Sequence, residues 1–288
     1  MILAHAGHAG HAESIASAWE APPAVLAGAA LALALFAQAF IRLRRRGRAD
    51  HAGWDRAGLF VTGVVLGTLA LVSPLDYIGE EYLLSAHMLQ HVVIGDLAVA
   101  LAIVALRGPL TFFLLPAAVL GPLARVGPLR AVLRFLLRPR VAFALWAIVI
   151  AAWHVPAAYD YTLTHQVVHD LEHLSFVFVG VLVWTQLVDP ARRRELSRAG
   201  RIGLAIALFA AGQILADVLI FAMRPLYGAY ADQPDRLLGL SPLADQRLAG
   251  LVMMGEQLLT LGICVALLLI AQHRTLFPRA SGERRAAA

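Results

Sequence analysis

Long runs of apolar residues, separated by short polar segments, make up most of the chain after residue 23. A helix needs about 20 mostly apolar residues to cross the hydrocarbon core of a bilayer. Seven runs approach or exceed that length, and each predicts a transmembrane helix. The pattern therefore predicts an all-α, polytopic membrane protein. The predicted spans are residues 24–41, 58–72, 83–106, 141–158, 167–187, 202–223 and 248–271.

One further apolar run, residues 111–120, lies between the third and fourth spans and is bounded by Pro109 and Pro122. Ten residues are too few to cross a bilayer as a helix. Irregular segments at membrane depth are tolerated where protein surrounds them. We therefore expect an interfacial or re-entrant segment here.

The composition agrees with this pattern. The 288 residues are 60% hydrophobic and 15% charged, and the mean hydropathy is +0.71, whereas soluble domains are about 45–50% apolar and about 25% charged. Cys264 is the only cysteine, which excludes an internal disulfide and any CxxC metal motif. Imidazole and carboxylate remain as the reactive groups.

All basic residues other than histidine are arginines, and they are unevenly placed. In a seven-span protein, the loops after spans one, three and five and the C-terminal tail hold every arginine except Arg224, Arg236 and Arg247. Because short cytoplasmic loops collect basic residues, we expect the N-terminus outside and the C-terminus inside. The membrane explains the high isoelectric point, and we expect no nucleic-acid partner.

The chain divides into an outer tail, residues 1–22, a seven-helix transmembrane domain, residues 23–272, and a cytoplasmic tail, residues 273–288. The outer tail holds His5, His8 and His11 at three-residue spacing. Short histidine-rich tracts bind metals, so this tail is either a metal-gathering arm or a tail without that role.

Histidines concentrate at the predicted outer ends of three spans. His87 and His91 lie one helical turn apart on the third span, and His169 and His173 do so on the fifth. His154, just ahead of Pro156, ends the fourth span at the same level. Neutral imidazole is the commonest ligand of copper, zinc and iron, so the pattern predicts a metal site. The alternative is that each histidine is only hydrogen-bonded to a neighbouring helix.

Other polar groups within the spans are candidates to support this site. Asp217 and Glu256 lie toward the outer halves of spans six and seven, and Met88 adjoins His87. Ionisable groups within a bilayer usually face the bundle interior and mark a functional path, and a thioether favours Cu(I). Asp96 is the one ionisable group near the predicted midplane. HExxH, GxSxG and P-loop motifs are absent from the sequence, and we expect no enzymatic activity.

Three segments resemble the multi-span CtaG family of cytochrome c oxidase assembly factors, which is linked to caa-type oxidases. They are SPLDYIGEEYLLSAHMLQH, WHVPAAYDYTLTHQVVHDLEHLSFVFVGVLVW and DQRLAGLVMM. The likeness extends from about Ser73 to the end of span seven and includes HMxxH and WHxP patterns. The resemblance carries over these signature positions: His87, Met88, His91, Trp153, His154, Pro156, His169 and His173.

The resemblance implies a seven-span protein of the bacterial cell membrane that aids oxidase maturation, with copper handling as the expected chemistry. An oxidase subunit or another assembly factor is the expected partner. Three alternatives stay open: a redox protein that holds haem between histidines of spans three and five, a copper transporter that depends on Asp96, and a metal-free assembly scaffold. The candidate metal ligands are His87, His91, His154, His169, His173, Met88, Asp217 and Glu256.

Overall fold

A computed structural model describes residues 15–276, which are helical with short connections and contain no strand. The tail histidines His5, His8 and His11 lie outside the described residues, as does most of the predicted cytoplasmic tail. The first eight helices are α1 (Pro23–Arg45), α2 (Trp54–Val72), α3 (Pro74–Glu81), α4 (Leu84–Val92), α5 (Ala98–Ala105), α6 (Pro109–Phe113), α7 (Ala117–Arg125) and α8 (Gly127–Leu136). The others are α9 (Pro139–Trp153), α10 (Pro156–Thr162), α11 (Gln166–Val188), α12 (Arg198–Phe221), α13 (Gly228–Ala231) and α14 (Pro242–Leu276).

Six helical segments within residues 15–276 are long and apolar enough to cross a membrane. They contain α1, α2, α4 with α5, α11, α12 and α14, and each matches a predicted span. The fourth predicted span corresponds to α9, which has only 15 residues and is bent by 73° from α8. Counting α8 and α9 as one broken span gives seven.

Two predicted spans differ from the structure in their detail. The third is not one regular helix, because a π-helical turn, Val93–Leu97, separates α4 from α5. Such turns often occur at functional sites. The fourth ends at Trp153, ahead of the predicted residue 158, and Pro156 starts the separate helix α10. The cause is that the residue before a proline avoids helical geometry.

The run 111–120 does not form one helix. α6 ends at Phe113, Pro116 precedes α7, and neither helix exceeds nine residues. The helix lengths therefore agree with the expectation that this run does not cross the membrane. Gln38 on α1 holds the break, because its amide nitrogen donates to the carbonyl oxygens of Phe113 and Leu114 at 2.7 and 2.6 Å.

The π-helical turn packs directly against α11, and glycines make the approach close. A β-carbon at Gly180 on α11 would overlap the carbonyl oxygen of Gly95 in the turn. Val99, Val183 and Leu187 continue this contact into a buried apolar cluster. The close packing fixes α4 and α11 relative to each other, and these are the two helices that carry the paired histidines.

The two ends of the bundle differ in charge. Arginines from three parts of the chain line one shared cavity. They are Arg56 at the start of α2, Arg107 after α5 and Arg192 after α11. Glu20, Asp76, Glu80 and Asp170 line a different cavity beside the histidines. The chain therefore gathers basic groups at one end and acidic groups around the histidines.

Candidate metal centre

Four buried histidines converge between α4 and α11. One ring nitrogen from each of His87, His91, His169 and His173 lies within 4.8 Å of the corresponding atom of every other. The i, i+4 spacing on each helix stacks the pairs one turn apart, with ring centroids 4.3 Å apart for His87 and His91 and 4.1 Å apart for His169 and His173. Across the helices, His91 and His173 are 5.1 Å apart. The spacing predicted from sequence thus gives a compact four-imidazole group.

Hydrogen bonds fix the tautomer of His87. The Tyr230 hydroxyl donates its proton to the carbonyl oxygen of Gly79 at 2.7 Å. Its oxygen must therefore accept from the Nδ1–H of His87, 2.8 Å away. The Nε2 atom of His87 then carries a lone pair and is available as a ligand.

A carboxylate fixes His169 in the same way. The Nδ1 atom of His169 lies 2.8 Å from Oε1 of Glu80 on α3, and the side chain of His169 is only 3% exposed. Metal-binding histidines commonly donate the second ring N–H to a carboxylate, which orients the ring and raises its basicity. The Nε2 atom of His169 is thereby turned toward His87.

The two prepared nitrogens face each other. Nε2 of His87 and Nε2 of His169 are 3.1 Å apart, and two lone pairs at that separation repel unless a proton or a metal cation lies between them. Two imidazole nitrogens bound at about 2.0–2.1 Å to one tetrahedral ion would be about 3.3 Å apart. The arrangement needs little adjustment to hold a metal ion.

Several buried imidazole nitrogens near this pair have no hydrogen-bond partner among the described residues. They are both ring nitrogens of His91 and the Nε2 atom of His173. Buried polar groups are nearly always satisfied, and an unpartnered one costs about 1–3 kcal/mol. Free nitrogens on His91 and His173, beside the facing pair, fit a donor set of up to four imidazoles.

An acidic cavity leads to this group from outside the bundle. The cavity has a volume of about 930 Å³ and is lined by Glu20, Asp76, Glu80, His169 and His173, among others. Carboxylates around a low-dielectric cleft raise the local concentration of cations. We call this cavity the acidic vestibule, because it joins the histidines to the surface.

Asp76, which lies in α3 outside the spans, shows how crowded the vestibule is. Burial, together with the neighbouring charge of Glu80, raises the pKa of Asp76 to about 6. The side-chain amide of Gln90 donates both to Asp76 and to the carbonyl oxygen of Ala70. Asp76 thus ties α3 to α4 directly beside the histidines.

A smaller cavity of about 60 Å³ lies on the other side of His91. His154 reaches this cavity and is not part of the four-histidine group. Its Nδ1 atom lies 2.8 Å from the carbonyl oxygen of Ile150, and its buried Nε2 atom is unpartnered. Met88 and Glu256 also line the cavity.

Two carboxyl groups, those of Asp96 and Glu256, line this smaller cavity. Asp96, in the π-helical turn, accepts hydrogen bonds from the indole N–H of Trp184 and the hydroxyl of Thr260, the latter at 3.5 Å. Neither of the buried carboxylate oxygens of Glu256 has a hydrogen-bond partner among the described residues.

Among the other predicted ligands, Asp217 lies apart from the histidines. Its carboxylate accepts from the Gln213 amide at 2.9 Å on α12, and it lines neither the acidic vestibule nor the smaller cavity. The structure therefore brings four of the eight predicted residues into one group, sets His154, Met88 and Glu256 around the adjoining cavity, and leaves Asp217 outside both.

Sequence reasoning missed three residues that surround the histidines. Tyr230 and Glu80 orient two of the rings, as described above. Glu172 is fully buried on α11, and both of its carboxylate oxygens lack a partner among the described residues. The position of Glu172, between His169 and His173 in HDLEH, was a visible indication. Tyr230 follows His87 by 143 residues, and no local pattern joins them.

Comparison with protein families gives a match that covers most of the chain. The model of the cytochrome c oxidase caa3 assembly factor family, Caa3_CtaG, matches residues 34–275. Neither a comparison with curated proteins nor one with solved structures finds a match. The matched range includes the four histidines, Glu80, Tyr230, the smaller cavity and most of the residues that line the acidic vestibule. The chain belongs to the family of cytochrome c oxidase caa3 assembly factors.

Proposed function

We propose that this assembly factor binds one copper ion at the four-histidine group and passes it to a subunit of the oxidase. The observation that carries the proposal is the facing Nε2 pair of His87 and His169, each oriented through its Nδ1 atom, at 3.1 Å. With both Nδ1 atoms engaged, the facing Nε2 atoms need either a shared proton or a metal cation between them, and a copper ion would meet that need.

Copper fits this donor set and its surroundings. Imidazole suits copper, zinc and iron, and thioether sulfur adds a preference for Cu(I). Met88 and Met253 line the smaller cavity on the far side of His91. The family consists of assembly factors for cytochrome c oxidase, and this role favours copper over zinc or iron. The acidic vestibule supplies the entry route for a cation.

The proposed topology has seven spans with the histidines toward the outer face. Arg56 at the start of α2, Arg107 after α5 and Arg192 after α11 meet at one end of the bundle, and the acidic vestibule is elsewhere. Connections on the same side of a membrane alternate along the chain. Arg56, Arg107 and Arg192 lie in or next to the connections after the first, third and fifth spans, which obey that alternation. Basic loops favour the cytoplasmic side, which leaves the vestibule to receive metal from outside.

Haem remains the second candidate ligand, but this geometry favours it less. Bis-imidazole ligation of haem requires two nitrogens on opposite faces of a macrocycle. The rings of His87 and His169 are 5.2 Å apart and nearly perpendicular, at 87°, and His91 and His173 fill the space beside them. The four rings would have to separate to admit a porphyrin, whereas a single ion needs no such movement.

Metal analysis of the purified full-length protein tests the proposal. After loading with Cu(I) and removal of free metal, we expect about one copper per chain, with X-ray absorption showing nitrogen ligands near 2.0 Å. The double variant His87→Ala, His173→Ala should lose the ion. His165→Ala is the matched control, because His165 immediately precedes the helix that carries His173 but is exposed and lies outside the group.

Two results would overturn the copper proposal. The first is wild-type protein that retains no copper, or that shows a Soret band in place of copper. The second is a double variant that binds as much copper as His165→Ala does. Assembly of the oxidase in cells separates copper delivery from a metal-free scaffold: excess copper should partly rescue the double variant and should not rescue a scaffold defect.

A further inference from the structure

Five arginines surround one polar cavity at the end of the bundle opposite the acidic vestibule. The cavity has a volume of about 410 Å³, and we call it the arginine pocket. Three separate connections and the start of α12 contribute to it, so the guanidinium groups converge only in the folded chain. The arginines that line the pocket are Arg56, Arg107, Arg192, Arg194 and Arg201.

The pocket holds far more positive than negative charge. Asp189 is the only carboxylate that lines it, and its oxygens are already used. They accept from the backbone N–H groups of Arg193 and Arg194 at 2.7 and 3.0 Å and pair with Arg201 at 2.8 Å. No ion pair involves the other four pocket arginines within residues 15–276.

The like charges act directly on one another. Arg56, Arg107 and Arg192 line the same cavity, so their like charges repel one another, while an N–H of Arg56 donates to the carbonyl oxygen of Arg107 and holds Arg56 there. The Nε–H of Arg201 is buried and has no hydrogen-bond partner. A negative ligand would both relieve the repulsion and satisfy such donors.

The loop between α11 and α12, which carries two of these arginines, is held in an uncommon conformation. Asp189, Arg192 and Arg194 have φ angles of 50°, 55° and 59°, although left-handed conformations are unfavourable for residues other than glycine. The loop is tied to the connection after α5, because the N–H of Gly108 donates to the carbonyl oxygen of Pro190 at 2.8 Å. Such strain is usually retained where it positions functional groups.

We propose that the arginine pocket binds the phosphate group of an anionic ligand. Guanidinium forks match phosphate oxygens in bidentate geometry, and basic pockets between transmembrane helices on the cytoplasmic side bind anionic lipid headgroups. The volume exceeds that of about ten waters at roughly 30 Å³ each, which accommodates a phosphodiester. The same chemistry is offered by a phospholipid headgroup and by free phosphate. This site is independent of the histidine centre.

Thermal unfolding of the purified full-length protein in a zwitterionic detergent distinguishes the sources. Inorganic phosphate, phosphatidylglycerol and phosphatidylcholine are added in separate arms. A ligand at about 100 times its Kd should raise the Tm by about 5 °C. A rise with phosphatidylglycerol alone identifies an anionic headgroup, and a rise with inorganic phosphate identifies a free-phosphate site. No rise with either, or an equal rise with zwitterionic phosphatidylcholine, overturns the proposal.

Variants locate the effect. Arg107→Gln with Arg192→Gln should abolish the rise in Tm. The control, Arg125→Gln with Arg130→Gln, removes the same charge from exposed positions on α7 and α8 and should keep it. If both double variants lose the rise in Tm equally, the ligand is attracted by the overall positive charge and not by this pocket. That result would contradict the proposal. Native mass spectrometry of the wild-type protein gives a result that needs no variant. If neither phosphatidylglycerol nor phosphate is retained more strongly than phosphatidylcholine, the proposal is overturned.

Discussion

The Nε2 atoms of His87 and His169 lie 3.1 Å apart, although the opposite nitrogen of each ring is already engaged by a neighbour. Tyr230 engages Nδ1 of His87, and Glu80 engages Nδ1 of His169. Both partners come from short segments outside the long helices. The long helices therefore supply the histidines, and the connections between helices select the tautomers of two of them.

Tyr230→Phe should weaken copper binding without removing a ligand. The variant keeps the ring but loses the hydroxyl that accepts from His87, so Nδ1 and Nε2 become interchangeable. Loss of such an orienting partner typically costs about 10–100-fold in metal affinity. Competition with a chromophoric Cu(I) chelator measures the change in Kd.

Tyr227→Phe is the matched control for this hydroxyl. The Tyr227 hydroxyl is equally buried but donates to the carbonyl oxygen of His154 at 3.2 Å and touches no ring nitrogen of the group. Its removal should change the Kd for copper less than about threefold. An equal loss of affinity in both variants would mean that general packing, and not the tautomer of His87, sets the affinity.

Glu80→Gln should also weaken copper binding, by about tenfold or more. An amide can still accept from Nδ1 of His169, but the negative charge that raises the basicity of the ring is lost. The adjacent Glu81 provides the control, because its side chain is exposed and no ion pair joins it to a histidine. If Glu80→Gln and Glu81→Gln bind copper with equal affinity, Glu80 does not orient His169 for copper binding.

The sequence predicted that the histidines on α4 and α11 lie together, because i, i+4 spacing places side chains on one face whatever the rest of the fold does. His154 shows where this reasoning ends. Pro156 stops α9, and the Nδ1 atom of His154 binds the last turn of that helix, so the ring turns to the smaller cavity. Depth in a membrane can be inferred from a hydrophobic run, whereas the direction of a side chain at a helix end cannot.

The orienting residues could not have been found from pattern alone. Tyr230 and Glu80 lie in polar connections of no regular period, and each reaches its histidine only after distant helices pack. Arg56, Arg107 and Arg192 illustrate the opposite case. Their alternation along the chain predicted that they share one side of the membrane, and the structure brings all three to one cavity.

Gly180→Ala should destabilise the protein by about 1–3 kcal/mol, the usual cost of overpacking. The added methyl group would overlap the carbonyl oxygen of Gly95, so α11 must move away from the π-helical turn. Because the turn continues into α4, copper affinity should fall as well. Gly203→Ala is the control: no atom lies within 4 Å of the added carbon, and the change should stabilise α12 by up to about 1 kcal/mol. Unfolding in denaturant measures both, and equal effects would exclude the proposed close contact.

The acidic vestibule should give the protein a distinctive pH dependence through Asp76. Its pKa in the folded protein is raised from 3.8 to about 6 by burial and by Glu80. A carboxyl group whose folded pKa is above its unfolded value binds a proton more tightly in the folded state, so the stability it contributes increases as the pH falls through 6 toward 4. Relative to Asp76→Asn, the wild-type free energy of unfolding should therefore rise by about 1 kcal/mol between pH 7 and pH 5. Taking the difference between the two proteins cancels the titration of histidines that both contain.

Asp232→Asn, at an exposed carboxyl group, should show no such pH-dependent difference from wild type. A wild-type protein that loses stability relative to Asp76→Asn over this interval would show that Asp76 is stabilised as an anion by the Gln90 amide more than it is penalised by burial.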